Sequence, residues 1–364
     1  MFMAIIIQTQ RNSFDETLLA QMPIARQEGA ASTQLHVTAP TEKSDERPVD
    51  FLALYSAGRI EEARADLIET LDQHRDLGLT DSNWRVRWAK AWKRELDIVT
   101  EFDEQQREAF FRHREEIGDI YRMCTRTASP ESFSGRLKSL IEEIPESIDG
   151  ACPTRLDCVE ASGYLASLIR DNQLAFKQFA ELKRLRLQMV GRDNWMYASD
   201  CEQLGLCALA LSNIEDADSL LTECFEVRRN LFGVEAYLSL VAYSNLGALD
   251  VKRDDYSSGI TKLTFALDRF RERRADSGVL GSCEFNLAKA YLATGDAIKG
   301  SEQFGLAIAH TRQKLHPAHP VILDMMSTFA DKCVAAGFSE RATAIRDEIR
   351  EMKNKYHKKV NQPY

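Results

Sequence analysis

Apolar residues recur along most of the chain at steps of three and four, the period of helices with one buried face. Nothing alternates with period two over a useful length, so almost no sheet is expected. Four stretches fall into register when set side by side: "CEQLGLCALALSNIEDADSLLTECFEV", "YSNLGALDVKRDDYSSGITKLTFALDR", "EFNLAKAYLATGDAIKGSEQFGLAIAH" and "STFADKCVAAGFSERATAIRDEIREMK". Small residues coincide at Gly205, Gly247, Ala288 and Ala330, with spacings of 42, 41 and 42. Twelve positions later a second small residue recurs, at Ala217, Gly259, Gly300 and Ala342. An earlier copy, "ASGYLASLIRDNQLAFKQFAEL", puts Gly163 and Ala175 in the same register. Four residues further on stands a large apolar side chain in most copies: Phe179, Leu221, Leu263 and Phe304. The fifth copy has Arg346 there, with Ile345 beside it.

Each copy reads as a helical hairpin whose turn is marked by Asn213, Asp254–Asp255 or Gly295–Asp296. Small residues at fixed places on both helices let the backbones approach closely. A single hairpin cannot bury its apolar face alone, so successive copies must stack. The expected fold is all-α: an α-solenoid superhelix of helical hairpins with a helical N-terminal region.

This pattern resembles the tetratricopeptide repeat, with "GDAIKGSEQFGLAIA" (295–309) the clearest stretch. The usual unit has about 34 residues; the longer period here is similar to the kinesin-light-chain type. Eight extra residues lengthen the helix pair by about 12 Å in total. HEAT and armadillo units overlap this length, yet they do not explain paired small residues twelve apart. The resemblance covers about 155–355.

The segment "QKLHPAHPVI" (313–322) carries two histidines, His316 and His319. His316 stands fourteen residues before Ala330, the offset of Gly191, Gly233 and Arg274 in the earlier copies. The segment is therefore an inter-repeat loop, similar to the leucine–glycine–x–x–histidine–proline linker of kinesin-light-chain repeats. Pro320 then opens a helix at its first turn, where the missing N–H is harmless. A zinc site would need about four ligands, and no cysteine or paired carboxylate lies near in sequence.

Residues 8–48 are polar and short of large apolar residues, and 1–48 is expected to be a flexible N-terminal segment. Residues 49–150 are expected to form a helical region of degenerate hairpins. There "FLALYSAGRIEEARADLIETL" (51–71) has Gly58 in a turn, and "EEIGDIYRMC" (115–124) pairs with "SFSGRLKSLIEEI" (132–144). An array of about five repeats follows over 151–356, then a tail at 357–364.

One stretch stands apart. In "NWRVRWAKAWKREL" (83–96), Trp84, Trp88 and Trp92 recur every four residues on one helical face, among Arg85, Arg87, Lys90, Lys93 and Arg94. The stripe is a candidate contact for a partner or a membrane surface. The competing expectation, favoured by the negative charge of the chain, is an aromatic face packed against neighbouring helices.

The formal net charge of −9 argues against nonspecific nucleic-acid binding, which needs many phosphate-neutralising cations. The longest apolar run near the start, "MFMAIII", is far short of the roughly 20 residues of a membrane-spanning helix. It has no preceding basic residue and no following small-residue cleavage site, so a secretory leader is not expected. Eight scattered cysteines without a CxxC read as reduced thiols, and the cytosol is expected. No GxGxxG after a strand, GxxxxGK[ST], HExxH or GxSxG is present. No cofactor, metal or catalytic constellation is expected.

In stacked hairpins the first helices line the inner curve. Two residues before the first small residue of three units stand Gln203, Asn245 and Asn286. In kinesin-light-chain repeats, asparagines at this place grip the backbone of an extended peptide, and the resemblance implies that role for Asn245, Asn286 and Gln203. A carboxamide offers both donor and acceptor to a peptide bond. Lys252, Phe285, Lys289 and Leu292 are expected to face the same groove. The alternative role for the amides is to link adjacent repeats. The leading expectation is a non-enzymatic scaffold for a peptide or helical segment of another protein. Two others stand beside it: a peptide-responsive regulator, as tetratricopeptide arrays with N-terminal helical bundles also form, and an enzyme with its centre in the divergent first 150 residues.

Overall fold

The computed structural model describes residues 54–360, apart from residues 56, 125 and 144–151. Among them the structure is helical throughout, with no strand. The expected 1–48 segment lies outside the described residues, as do 361–364 of the expected tail.

Four helices come first: α1 (Ile60–Asp76), α2 (Trp84–Thr100), α3 (Glu104–Cys124) and the short α4 (Ser134–Glu142). Five hairpins follow. They pair α5 (Pro153–Leu168) with α6 (Asn172–Val190), and α7 (Trp195–Ala210) with α8 (Ile214–Phe232). Then α9 (Tyr237–Lys252) pairs with α10 (Tyr256–Glu272), α11 (Ser277–Ala293) with α12 (Ala297–Arg312), and α13 (Pro320–Ala335) with α14 (Ser339–Val360).

The turn chemistry repeats with the sequence period. Each hairpin turn holds one left-handed residue: Arg170, Ser212, Asp254, Gly295 and Gly337, with φ of 69°, 61°, 62°, 85° and 87°. In the first four, the next residue caps the outer helix. Asp171, Asn213, Asp255 and Asp296 accept from the N–H groups of Leu174, Asp216, Ser258 and Lys299 at 3.0, 3.4, 3.2 and 3.1 Å. Between hairpins, Gly191 and Gly233 sit at φ 84° and 87°, where glycine alone is free of steric cost.

The large apolar residue sixteen positions after each leading glycine lies directly over it. A Cβ added at Gly163 would stand 2.9 Å from the Phe179 ring. At Gly205 and Gly247 the same distance separates it from Leu221 Cγ and Leu263 Cγ. Gly259 is tighter still, with Val251 Cγ2 at 2.6 Å and the Gly247 carbonyl oxygen at 3.0 Å. Small residues thus set the approach of the paired backbones.

The first helix of each of the first three hairpins is buried on nearly every side, whereas α8 and α10 expose a polar outer face. The N-terminal helices are fixed to this array through Glu95 of α2, which is fully buried. Its carboxylate accepts from Tyr55 Oη and from both the N–H and Oγ1 of Thr154, each at 2.7 Å. Arg114 of α3 stands 3.9 Å away. Burial and this carboxylate push the Tyr55 hydroxyl well above the usual range.

The last hairpin returns to these N-terminal helices. Ile117 and Ile120 of α3 and Leu165 of α5 share one apolar core with Leu292 of α11 and Phe329 of α13. The 313–319 segment is the expected loop, and within it His319 is fully buried. Its Nδ1 accepts from Val321 N–H at 3.2 Å, capping α13. Its Nε2, which therefore carries the proton, donates to the Cys124 carbonyl at the end of α3, also at 3.2 Å. Burial lowers this imidazole to about 4. Arg170, in the first hairpin turn, pairs with Asp324 of α13 at 2.7 Å.

Candidate functional site

The interior of the array carries ion pairs that recur with the repeat. Glu160 of α5 and Asp200 of α7 hold Arg186 of α6 at 3.0 and 2.9 Å. One repeat later Glu202 of α7 holds Arg228 of α8 at 2.8 Å, both fully buried. Arg228 also donates to Ser199 Oγ at 3.1 Å and to the Leu238 carbonyl at 3.2 Å, so a single guanidinium ties three helices. In the fourth hairpin Glu284 takes the acid's place, accepting from Arg271 at 3.2 Å and facing His310 Nδ1 at 2.7 Å. Each buried charge is paired, as a low-dielectric interior requires. The signal was present in the sequence: Glu160 and Glu202, three before Gly163 and Gly205, each have an arginine 26 residues on.

This lattice decides where the expected amides lie. Asn245 is 3% exposed and its Nδ2 donates to Glu202 at 2.6 Å, bridging α9 to α7. The amide is spent on a neighbouring repeat. Gln203 is likewise 3% exposed, and its Nε2 meets no hydrogen-bond partner among the described residues. Leu292 is 2% exposed and lies over Gly300, where an added Cβ would come within 2.9 Å of its Cγ. The placement of Gln203, Asn245 and Leu292 in an open groove is therefore corrected: all three are enclosed between helices. Asn286, by contrast, is half-buried and donates only to the Ser282 carbonyl of its own helix, at 3.1 Å. Phe285 and Lys289 are half-buried and Lys252 is exposed.

A consistent opening emerges when equivalent positions are compared. Take the residues six, three and two before, and one after, the leading small residue of each first helix. In α9 these are Val241, Ser244, Asn245 and Ala248, all buried; in α7, Glu202, Gln203 and Leu206 are buried. In α11 they are Ser282, Phe285, Asn286 and Lys289, all half-buried. In α13 they are Asp324, Ser327, Thr328 and Asp331, half-buried or exposed. The array is closed in its first three hairpins and open in its last two. Asp324 belongs to this strip and was not singled out in the sequence, because the fifth copy lacks the asparagine that marks the third and fourth.

The tryptophan stripe is turned inward. Trp92 is 6% exposed, with Tyr55 edge-on at 5.1 Å and Trp88 at 6.1 Å. Trp84 and Trp88 are half-buried against the core of the first hairpin, which contains Phe179 and Leu182 of α6. The face read as a partner or membrane contact is thus occupied by the protein itself, since α2 uses it to dock on α6.

All eight cysteines are unbridged and buried. Burial raises the thiols of Cys158, Cys201 and Cys283 to about 12, which leaves them protonated and poor nucleophiles. Among the described residues, no group of three His, Cys, Asp or Glu side chains is placed to hold a metal ion. No helix among them is long and apolar enough to cross a membrane.

The hairpins keep a step of 41 or 42 residues, a small residue at each crossing and a left-handed residue in each turn. In these respects they resemble tetratricopeptide repeats. No protein-family model and no curated protein matches the chain. Several solved structures do align. A Rap protein complexed with Competence and Sporulation Factor aligns over 85% of this chain and 97% of its own, at 13% identity and a TM-score of 0.48. BtubC (BKLC) from P. vanneervenii aligns over 65% and 92%, at 15% identity and a TM-score of 0.42. A kinesin light chain of nearly identical TPR-like repeats from Podosopora anserina aligns over 55% and 96%, at 17% identity and a TM-score of 0.38.

Proposed function

We propose that the chain is a non-enzymatic interaction scaffold of the cytoplasm, which binds a polypeptide segment of a partner protein along the inner strip of the fourth and fifth hairpins. The supporting observation is the change from closed to open at equivalent positions of α9, α11 and α13. Phe285 offers an apolar contact and Asn286 a carboxamide that can meet a peptide bond. Lys252 and Lys289 border them. The buried, protonated cysteines fit a reducing compartment. The test is selection of random peptides on the immobilised full-length protein, then titration calorimetry of the selected peptides. Phe285→Ala and Asn286→Ala should each weaken binding while Leu187→Ala, on an exposed site of α6, should not. Selected peptides indifferent to both strip variants would refute the reading.

A second reading, a regulator whose shape responds to the bound peptide, draws on the return of α13 to α3 through His319. It predicts that peptide binding changes amide exchange at Val321, whose N–H is held by His319.

A further inference from the structure

Among the described residues, Lys93, Lys183, Lys262, Lys289 and Lys314 are half-buried. Lys93 has Asp97 at 2.6 Å, Lys183 has Glu223 at 3.5 Å, Lys262 has Asp250 at 2.5 Å and Lys314 has Asp276 at 2.6 Å. Lys289 of α11 has no such carboxylate among these residues. The acid that acts on it, Asp324 of α13, is held at 2.7 Å by Arg170 from the first hairpin.

The Lys289 nitrogen lies 5.1 Å above the Phe285 ring, and Phe304 stands behind that ring at 6.4 Å. Two exposed lysines, Lys252 of α9 and Lys332 of α13, act on it from the neighbouring repeats. Among the described residues, α10 and α12 bring no charge to it. Burial first, then Lys332 and Lys252, lower the ammonium to about 8, while Asp324 works the other way. At pH 7 roughly one Lys289 in ten is then a neutral amine, against fewer than about one in a thousand for an ordinary lysine. A neutral amine in such surroundings is a nucleophile. The same surroundings choose its electrophile. Two facing ammonium groups favour an adduct that is negative, and a half-buried aromatic place admits a reagent that is small and apolar. Carbon dioxide meets both demands, whereas an aldehyde yields an imine without negative charge.

We propose that Lys289 is a covalent modification site, at which dissolved carbon dioxide adds reversibly to the side-chain amine to give a carbamate. The nitrogen lone pair attacks the carbon, the N–C bond forms, and one C–O π pair moves onto oxygen. The amine then gives one proton to water, so amine and carbon dioxide become carbamate and H⁺ with no oxidant or further reagent. Lys252 and Lys332 can donate to the carbamate oxygens. Position 289 thereby changes from cation to anion, and the inner strip has two charge states set by dissolved carbon dioxide. The modification does not depend on which polypeptide the strip binds.

The test traps the adduct on the full-length protein with triethyloxonium, in buffer equilibrated with carbon dioxide, and maps it by mass spectrometry of the digested chain. An ethyl carbamate is expected at Lys289 and not at Lys177, an exposed lysine of α6. At fixed dissolved carbon dioxide its yield should climb as pH rises toward about 8. Lys252→Met and Lys332→Met, both at exposed positions, should each lower the yield severalfold, because each loses a cation that disfavours the ammonium and favours the carbamate. With isotopically labelled carbon dioxide, the carbamate resonance of the wild type should vanish in Lys289→Arg, whose guanidinium stays protonated. Lys289→Arg keeps the charge and should melt near the wild type, so the lost signal reports the lost amine. A wild-type protein without an adduct at Lys289, or with adducts spread evenly over its exposed lysines, would overturn the proposal. An adduct indifferent to both Lys252→Met and Lys332→Met would overturn it as well. The scaffold reading would stand in each case.

Discussion

Asn245 donates its side-chain amide to Glu202 across 2.6 Å, and Arg228 holds the other oxygen of the same carboxylate at 2.8 Å. Three repeating helices meet at one buried charge, so each partner is needed by the other two. Asn245→Ala is expected to cost about 1–3 kcal/mol, the range for leaving a buried acceptor short of a bond. Arg228→Met should cost about 3–5 kcal/mol, because it leaves Glu202 charged and enclosed. Asn286→Ala, which loses only a bond to its own helix, should barely change stability. Urea unfolding of the three variants checks the order; equal losses for Asn245 and Asn286 would contradict it.

Gly259 meets backbone where Gly163 and Gly205 meet side chains. Its missing Cβ would lie 3.0 Å from the Gly247 carbonyl oxygen and 2.6 Å from Val251 Cγ2. At Gly205 the nearest atoms belong to the Leu221 and Leu220 side chains, and Leu221 can rotate. Gly259→Ala should therefore destabilise by about 1–3 kcal/mol, in the range of overpacked cores. Gly205→Ala should cost less. Melting temperatures of the two variants decide whether backbone contact is the stricter limit.

Much of this fold could be read from the sequence, and the reason is the regularity of the crossings. Gly205, Gly247 and their equivalents are small because Leu221 and Leu263 lie on them, so the spacing of residue types records a contact. Turns were equally legible, since Asn213, Asp255 and Asp296 must cap and only certain residues tolerate the preceding left-handed backbone. The groove was less legible. Gln203, Asn245 and Asn286 occupy the same place in the repeat, yet Glu202 draws Asn245 inward and no equivalent acid faces Asn286. Repeat position fixes which way a side chain points; its neighbours in the adjacent unit fix whether it is reachable. Asp324 and Arg170 show the same limit, since 154 residues separate two groups that only the return of the last hairpin brings together.

His319 links stability to pH. Its imidazole is lowered from 6.5 in the unfolded chain to about 4 in the fold, so between these values the unfolded state binds the proton and the folded state does not. Stability from this group is complete above about pH 6.5 and is lost as pH falls toward 4, by about 3 kcal/mol at most. His319→Asn keeps a capping acceptor for Val321 N–H but removes the titrating ring. It should be the less stable protein at pH 7 and lose less on acidification, so that the two curves approach each other near pH 4. Parallel urea midpoints from pH 7 to 4 would show that His319 does not carry this dependence.

The tryptophan stripe gives opposite expectations for a fragment and for the folded chain. Released from the fold, residues 80–100 would present Trp84, Trp88 and Trp92 on one face among five cationic side chains, the composition of a helix that settles at an anionic lipid surface. In the protein, Trp92 lies against Tyr55, and Trp84 and Trp88 lie on the core of the first hairpin. The peptide should co-sediment with vesicles containing anionic lipid and the intact protein should not. Trp92→Ala should lower the melting temperature, by the equivalent of about 3–5 kcal/mol for a buried aromatic. Co-sedimentation of the intact protein at unchanged stability would mean that α2 leaves its seat on α6 at a cost smaller than its lipid contact returns, and the docking described for this helix would then be only one of two states.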